Sequence, residues 1–320
     1  SLDSSGNAII TGTTEGCSYS GNCWPELVTL KYNSSGTLLW EKFFNGGIAV
    51  SMALNDAGNN IYVAGSGGIV RYDASGNEMC SSIHSPETAF DIDVDSSGNI
   101  YVLTQDAWAS AYGYYDYQNM YNHSDYHLYK YNADCTDAWD RTFDNDNDDD
   151  IPVALAIDSS NNVVVTGQSC ISRRLYSTDS CQGYAYGTVK YNSAGTHLWT
   201  SHFSRESYGG SDRPTGIVID PAGNVYLTGG VGKYGTVKYG SDDGSEILRM
   251  MFDGGGGYSS YFPEGDVPCC IALDADGNLL VTGTTMAVRP PDFPGNFNDQ
   301  GDWMTIKYWS SNDIDGDAVL

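Results

Sequence analysis

The stretch IDPAGNVYLTG, residues 219–229, decides the fold, because five variants of it recur along the chain. The other copies read LDSSGNAIITG from Leu2, LNDAGNNIYVAG from Leu54, VDSSGNIYVLT from Val94, IDSSNNVVVTG from Ile157 and LDADGNLLVTG from Leu273. Their polar centre, most often Asp-x-x-Gly-Asn, separates two apolar runs. An Asp side chain accepts hydrogen bonds from turn amides and Gly tolerates positive φ, so each copy predicts a β-hairpin.

Two further phrases follow these copies in a fixed order. The second carries Lys-Tyr or Arg-Tyr, as in LKYNSSG from Leu30 and VKYNSAG from Val189. The third, present after most copies, is an apolar run such as LLWEKFF from Leu38 or LWTSHF from Leu198. Each unit therefore holds four short strands, a to d, and no segment shows the apolar spacing of a long helix.

Six such units follow one another at a spacing of about 40 to 63 residues, which is typical of a β-propeller. A single blade cannot bury both of its faces, whereas a closed ring of blades can, and the ring hides most sheet edges. We predict an all-β fold with one β-propeller domain over residues 1–320. The six four-stranded blades are expected at approximately 1–47, 48–86, 87–149, 150–211, 212–265 and 266–320.

The two ends of the sequence resemble the halves of one strand a. Joined end to start, they read DAVLSLDSSGN, which is close to the internal DVPCCIALDADGN. We predict that the ring is closed by pairing of these segments, within one molecule or between neighbouring copies. The residues expected to interact there are Ser1, Leu2, Ala318, Val319 and Leu320. The sixth blade also has no room for a full strand d after Tyr308, and β-addition from a neighbour is one way to fill that slot.

The phrases IxxDxxGNxYVTG and TVKYNxxGxxLW, as this chain varies them, resemble the bacterial and archaeal β-propeller repeat family called SBBP, for seven-bladed β-propeller. The resemblance covers nearly the whole chain and implies a secreted or cell-surface protein without assigned catalytic residues. This chain departs from the family name, because it shows six copies. Its second blade has a degenerate strand d, EMCSSI, and its sixth blade is incomplete.

Charge argues against one class of partner. The chain has 41 acidic and 15 basic residues, a formal net charge of −26. A nucleic-acid-binding protein needs a basic face to replace counterions, so we expect no nucleic-acid partner. The sequence has no run of 18 apolar residues, so we expect no membrane-spanning helix.

Eight cysteines indicate an oxidising compartment, and we expect the chain to be extracellular or at the cell surface. Two pairs bracket loop insertions and are predicted to be disulfides, Cys17 with Cys23 and Cys170 with Cys181. Cys80 and Cys135 could join neighbouring blades. Cys269 and Cys270 are adjacent on a strand, so their side chains are expected on opposite faces, as buried thiols, unless they form a strained vicinal disulfide.

Two acidic segments are candidate calcium sites, because alternating carboxylates in a loop suit Ca²⁺, which accepts six to eight oxygen ligands. The first has Asp144, Asp146, Asp148 and Asp150, and the second has Asp313, Asp315 and Asp317. Neither meets the full EF-hand pattern. A solvated acidic loop and ordinary turn chemistry are the alternatives.

A Tyr-rich insertion between strands b and c of the third blade is a candidate contact surface, because Tyr supplies rigid amphipathic area. It could contact another subunit or a glycan, or pack its own rings over the blade. Its expected contact residues are Trp108, Tyr112, Tyr114, Tyr115, Tyr117 and Tyr121.

One basic residue per blade precedes the repeated Tyr, which indicates an architectural role. We expect it to pair with the turn Asp or to pack its stem across a neighbouring strand. These residues are Lys31, Arg71, Lys130, Lys190, Lys238 and Lys307.

No nucleophile elbow, metalloprotease motif or phosphate loop is present, so we expect the chain not to be an enzyme. The expected function is a structural one, a subunit of an extracellular fibre or filament that assembles with copies of itself by sharing strands. The alternative is a secreted adhesin or glycan-binding propeller that uses the Tyr-rich insertion.

Overall fold

The computed structural model describes twelve parts of the chain, and all regular structure in them is β-strand. These parts are residues 1–17, 23–45, 47–55, 58–83, 88–107, 124–145, 150–172, 181, 183–204, 212–252, 266–285 and 302–308.

Twenty-two strands alternate with tight turns. The first two sheets contain β1 (Ala8–Cys17), β2 (Cys23–Tyr32), β3 (Leu38–Phe44), β4 (Ala49–Leu54), β5 (Asn60–Gly65), β6 (Gly68–Asp73) and β7 (Glu78–Ile83). The next two contain β8 (Thr88–Val94), β9 (Ile100–Ala107), β10 (Ser124–Tyr131), β11 (Asp137–Phe143), β12 (Ile151–Ile157), β13 (Val163–Ser172), β14 (Gly183–Tyr191) and β15 (His197–Phe203). The last two contain β16 (Arg213–Ile219), β17 (Val225–Gly230), β18 (Tyr234–Tyr239), β19 (Glu246–Phe252), β20 (Val267–Leu273), β21 (Leu279–Thr285) and β22 (Asp302–Tyr308).

The strands form six sheets, and each sheet keeps the order of the chain. The second to fifth sheets have four strands, in the predicted order a, b, c, d. The first sheet has three, β1 to β3, which correspond to b, c and d. The sixth has β20 to β22, which correspond to a, b and c. The all-β prediction with repeated four-stranded units is therefore confirmed, and the two end sheets each have one strand fewer within the described residues.

The predicted turn chemistry is also confirmed. In the turn from β16 to β17, Asp220 Oδ1 accepts hydrogen bonds from the amides of Ala222 and Asn224, at 3.0 and 2.9 Å. Its second oxygen accepts one from Asn224 Nδ2 at 2.9 Å. Gly223 in the same turn has φ of +85°, where a side chain would be strained. The turn from strand c to strand d uses the same device, with Asn192 in place of Asp between β14 and β15.

The chain divides into two compact units, Ser1–Val165 with Tyr191–Thr196, and Thr166–Lys190 with His197–Leu320. In the first unit, neighbouring sheets pack on each other through apolar clusters. One cluster joins the first and second sheets around Leu27 and Ile61, and another joins the second and third around Ile69 and Val102. In the second unit, the fifth and sixth sheets meet around Val281.

Strand a contains a β-bulge in the second, third, fifth and sixth sheets. Each bulge adds one residue between two paired positions: Ala49 and Ser51, Ala89 and Asp91, Pro214 and Gly216, and Pro268 and Cys270. A bulge bends the strand and changes the direction of its side chains, which matters for the cysteines of the sixth sheet.

Candidate functional site

The repeated lysine of strand c pairs with the aspartate of the turn between strands a and b of the same sheet. The Nζ to Oδ2 distances are 2.9 Å for Lys31 and Asp3, 3.9 Å for Lys130 and Asp95, 3.4 Å for Lys238 and Asp220 and 2.7 Å for Lys307 and Asp274. The ion-pair hypothesis for this position is thus confirmed. The same aspartate caps its turn, so one carboxylate links the turn to strand c.

Burial and pairing oppose each other in these ion pairs. Burial alone would raise the pKa of Asp3, but hydrogen bonds from Lys31, Asn7 and the turn amides hold it well below its usual range. For Lys130, burial outweighs the attraction of Asp95 and lowers the pKa of the amine, because the carboxylate lies farther away, at 3.9 Å. The pKa of Lys238 is raised, because Tyr226 and Asp220 outweigh its burial.

The second sheet uses a different pair at this position. Its turn carries Asn55 where the other sheets have Asp, and its strand c carries Arg71 where they have Lys. The guanidinium donates to Asn60 Oδ1 at 3.0 Å instead of to a carboxylate.

Three of the repeated lysines also reach the next sheet, a contact that the sequence did not reveal. Lys31 Nζ donates to the carbonyl of Ala74 at 3.1 Å, and Lys130 Nζ donates to that of Ser193 at 2.7 Å. Lys190 Nζ donates to the carbonyl of Ser241 at 3.0 Å. All three acceptors lie in the turn between strands c and d of the following sheet. Lys31 and Lys130 therefore each link the turn between strands a and b of their own sheet to a turn of the next sheet.

The Trp of strand d donates to the same carbonyl. The Nε1 to oxygen distances are 3.1 Å from Trp40 to Ala74, 3.2 Å from Trp139 to Ser193 and 3.2 Å from Trp199 to Ser241. The indole lies over a glycine of that turn. A Cβ on Gly244, for example, would be 2.6 Å from the ring of Trp199, so only glycine fits beneath it.

A disulfide replaces this contact between the second and third sheets. Cys80 stands at the Trp position of strand d, and Cys135 stands at the Gly position of the next turn, with the same positive φ, 62°. The structure joins Cys80 to Cys135. A covalent link thus takes the place of the Trp over Gly.

The outer edge of β1 has almost no strand partner. Ser1 and Ile9 exchange two backbone hydrogen bonds, Ser1 N to Ile9 O at 3.1 Å and Ile9 N to Ser1 O at 2.9 Å. Beyond Ile9, no described strand pairs with this edge. Because backbone groups alternate in direction along a strand, the amides of Thr11 and Thr13 point outward as that of Ile9 does. A cleft of about 500 Å³, lined by Thr13, Trp24 and other residues, lies beside this edge.

The outer edge of β22 is open in the same sense, since no described strand follows it in the sixth sheet. Trp303 of β22 lies five residues before Tyr308, as Tyr234 lies five residues before Tyr239. Tyr234 is 1% exposed and packs against Phe252 of strand d, with ring centroids 5.9 Å apart. Trp303 is 77% exposed. Within the described residues, no strand covers this side of β22, and Trp303 lies in solvent.

Three carboxylates of the third sheet and its flanking segments form a candidate cation site. Oxygens of Asp125, Asp144 and Asp150 all lie within 4.8 Å of one another. Asp150 is fully buried, and its Oδ2 accepts a hydrogen bond from the amide of Asn145 at 2.7 Å. Two of the predicted calcium ligands thus lie together, and Asp125, which no sequence motif marked, joins them from β10. Calcium itself stays a prediction.

Asp91 lies in strand a of the third sheet and connects three strands a of the first unit. Its oxygens accept hydrogen bonds from Ser51 Oγ at 2.8 Å, from the amide of Ile92 at 2.9 Å and from the amide of Leu155 at 3.0 Å. Burial raises its pKa above the usual value, despite these three bonds. Hydrogen bonds from its own strand and from two neighbouring strands satisfy the carboxylate, which indicates an architectural role for Asp91.

The remaining cysteines follow the predicted pattern in part. Cys170 is bonded to Cys181. Cys17 and Cys23 lie directly opposite each other in the pairing of β1 with β2, and Cys23 is disulfide-bonded. The expectation that the side chains of Cys269 and Cys270 lie on opposite faces, as buried thiols, is wrong. Both thiols are free and exposed, and their sulfurs lie 2.8 Å apart, because the bulge after Pro268 removes the strict alternation of faces.

Several predicted site residues lie outside the described residues. They are Trp108, Tyr112, Tyr114, Tyr115, Tyr117, Tyr121, Asp146, Asp148, Asp313, Asp315, Asp317, Ala318, Val319 and Leu320. Calcium binding by the second acidic segment and contacts of the Tyr-rich insertion remain predictions.

The fold and the repeated turns define a β-propeller repeat protein. Residues 206–229 match the model of a family described as the SBBP β-propeller repeat. The matched residues include β16 and nearly all of β17, the hairpin of strands a and b in the fifth sheet. The chain thus carries the repeat of the SBBP family, and the resemblance predicted from its repeated phrases is confirmed. A search of curated proteins found no match.

Two solved structures match most of the chain. The hydrazine synthase of Kuenenia stuttgartiensis matches with a TM-score of 0.56 and 11% identity, covering 83% of this chain and 79% of that one. A protein of unknown function from Bacteroides caccae matches with a TM-score of 0.49 and 12% identity, covering 86% and 83%.

The first of these structures corrects the expectation that the chain is not an enzyme. Hydrazine synthase is an enzyme, so this type of fold does occur in a catalytic protein and does not support the exclusion. At 11% identity the likeness shows the fold alone.

The disulfides indicate an oxidising environment outside the cytoplasm. Among the described residues, none belongs to a helix long and apolar enough to cross a bilayer.

Proposed function

We propose that this chain is a structural subunit of an extracellular fibre or surface layer, built as a six-bladed β-propeller and assembled with copies of itself by strand addition. The observation that carries the proposal is the pair of three-stranded end sheets, one lacking strand a and the other lacking strand d within the described residues. Open sheet edges are templates for pairing with another chain.

The open edge of β1 is suited to receive a strand a. Pairing of Ser1 with Ile9 already starts such a strand in the correct register for continuation along Thr11 and Thr13. The segment DAVL, residues 317–320, has an Asp followed by apolar residues and so resembles the start of the internal strand a segment DVPCCIAL. In the proposed assembly, this segment of a neighbouring copy pairs with β1 and closes the ring.

The open edge of β22 supports the same proposal from the other end. In the fifth sheet, Phe252 of strand d packs on Tyr234, which also contacts the apolar cluster of the sixth sheet. Covering Trp303 in the same way would remove a large aromatic surface from water, which is a substantial hydrophobic gain. We therefore propose that a strand from another copy lies along β22.

Substitutions at Thr13 test the edge of β1. Thr13→Pro removes the outward amide that an added strand needs, while the pairing of β1 with β2 is kept, since proline is tolerated on an edge. Thr13→Ala is the matched control, because it also removes the hydroxyl that accepts from the amide of Ala49 at 3.0 Å but keeps the Thr13 amide.

Light scattering after size-exclusion chromatography and negative-stain imaging give the result. We expect assemblies for the wild type and for Thr13→Ala, and monomers for Thr13→Pro. A wild type that stays monomeric at high concentration would contradict the proposal. If the wild type is monomeric and Thr13→Pro is a monomer of lower stability, the chain completes its own first sheet.

A further inference from the structure

Cys269 and Cys270 differ from the other described cysteines in their chemistry. Cys23, Cys80, Cys135, Cys170 and Cys181 are all disulfide-bonded. Cys269 and Cys270 are free, exposed and adjacent, with a sulfur to sulfur distance of 2.8 Å. A disulfide bond is about 2.05 Å long, so closure requires a shift of less than about 1 Å.

The architecture does not require cysteine at these two positions. The same bulge of strand a carries Val50 and Ser51 in the second sheet and Thr215 and Gly216 in the fifth. The bulge therefore forms with quite different side chains. What is particular to the sixth sheet is the pair of thiols, which the bulge brings to the same side.

We propose that Cys269 and Cys270 form an exposed redox site that closes to a vicinal disulfide by exchange with a low-molecular-weight disulfide and reopens with a thiol reductant. Exposure gives a small disulfide access to both sulfurs, and their proximity makes the second step intramolecular. This proposal is independent of the assembly function proposed above.

Thiol–disulfide exchange proceeds in two steps. The thiolate of Cys269 attacks one sulfur of the disulfide, whose S–S bond breaks, and one thiolate leaves. Cys270 then loses its proton to solvent and attacks Sγ of Cys269, which breaks the mixed disulfide and releases the second thiolate. The pair loses two electrons and two protons, and the small disulfide is reduced to two thiols.

The surroundings favour this order of attack. The hydrogen bond with Cys269, with smaller contributions from burial and from the charge of Cys269, raises the pKa of the Cys270 thiol, so Cys270 keeps its proton to higher pH than an ordinary thiol. It is therefore suited to act second, once Cys269 has been converted to the mixed disulfide.

Reaction of the native protein with Ellman's reagent tests the proposal. We expect the wild type to release two equivalents of thionitrobenzoate and to retain no adduct, because the second cysteine displaces it. Cys270→Ser should release one equivalent and keep one adduct on Cys269. The control Cys269→Val with Cys270→Ser, which copies Val50 and Ser51, should fold and release none.

Mass analysis of the peptide with both cysteines gives the second readout. Oxidised glutathione should remove two hydrogens from it, and reduced glutathione should restore them at a concentration at least about tenfold below that which opens the bond between Cys80 and Cys135. Two retained adducts in the wild type, or two unreactive thiols, would overturn the proposal.

Discussion

The four-stranded fifth sheet and the sixth sheet, which has three strands among the described residues, place the same sequence position in opposite environments. Tyr234 in the fifth sheet is 1% exposed beneath Phe252, whereas Trp303 in the sixth is 77% exposed. Both residues precede a Lys-Tyr strand end at the same spacing. Strand d, through Phe252, and the next sheet, through the cluster around Val281, together bury Tyr234. Within the described residues, Trp303 has neither kind of neighbour.

The largest expected effect separates a complete sheet from an end sheet. Phe203 of β15 is fully buried and packs against Tyr186, with ring centroids 5.0 Å apart. Phe203→Ala should lower the free energy of unfolding by about 3–5 kcal/mol, because it leaves a cavity. Trp303→Ala should change it by less than about 1 kcal/mol in the monomer, since little area is buried there.

Denaturant titration of the monomers measures both values. An equal loss for the two variants would mean that Trp303 is covered within its own chain. In that case the sixth sheet is complete without a neighbour, and the comparison between the two sheets fails.

The ion pairs of the first and sixth sheets also differ in exposure, and the pair of the sixth sheet is the more exposed one. The side chains of Lys31 and Asp3 are 4% and 6% exposed, and those of Lys307 and Asp274 are 33% and 23% exposed. Lys31→Met should cost about 3 kcal/mol, because it leaves a buried carboxylate without its cation. Lys307→Met should leave the free energy of unfolding close to that of the wild type, because exposed pairs contribute little.

The double variant Lys31→Met with Asp3→Asn serves as the control. It removes both charges while Asn keeps the turn cap, as Asn33 does in the next turn. It should recover part of the lost stability. If it does not, the loss arises from the contact between Lys31 and the carbonyl of Ala74 and not from the ion pair.

Calcium offers a third comparison, between the acidic cluster around the buried Asp150 and the exposed turn acids. If Asp125, Asp144 and Asp150 bind Ca²⁺, a concentration 100-fold above the dissociation constant should stabilise the fold by about 2.7 kcal/mol. Asp150→Asn should abolish this gain, and Asp134→Asn, in an exposed turn of the same sheet, should keep it. Thermal unfolding with calcium and with a chelator measures it, and no shift in the wild type would exclude the site.

The pH dependence of stability should show the smallest of these effects, spread over several pH units. Burial would raise the pKa of Asp220, but Asn224 and Lys238 lower it. Such a group stabilises the fold above its unfolded pKa, about 3.9, and this contribution is lost as pH falls below that value. The free energy of unfolding should therefore fall less steeply in Asp220→Asn than in the wild type as the pH is lowered from about 5 to about 2, the range in which Asp220 titrates.

Asp91→Asn should act in the opposite direction. Burial raises the folded pKa of Asp91, so its protonation on acidification favours the folded state. Without that carboxyl, stability should fall more steeply with acid. Thermal unfolding across the pH range distinguishes the two variants, and equal slopes would contradict the assignment of their environments.

The sequence was sufficient for the repeated unit, because turn chemistry and strand patterning are local. The Asp-x-x-Gly-Asn turns followed from the repeated phrase, and pairing of the repeated lysine with the turn Asp was one of the two roles that the sequence predicted. Contacts between sheets were out of reach, since they depend on packing. The donation from Trp40 to Ala74 is one example, and the replacement of Trp and Gly by Cys80 and Cys135 becomes intelligible only with it.

The candidate sites show the same limit. Asp144 and Asp150 were found from their loop, but Asp125 comes from β10 through tertiary structure. The orientation of Cys269 and Cys270 was wrong because a bulge breaks the alternation on which the prediction relied. A Pro two residues before the second cysteine, as in the fifth sheet, is the signal that could have indicated the bulge.

Hydrogen exchange resolved to single amides is the sharpest test of strand addition at β1. We predict that the outward amides of Thr11 and Thr13 exchange rapidly in the monomer and become protected in the assembly, while inward amides of β1 are protected in both. Equal protection of the outward amides in the monomer would show that the chain fills its own edge. Rapid exchange of these amides in the assembly would show that no strand is shared there.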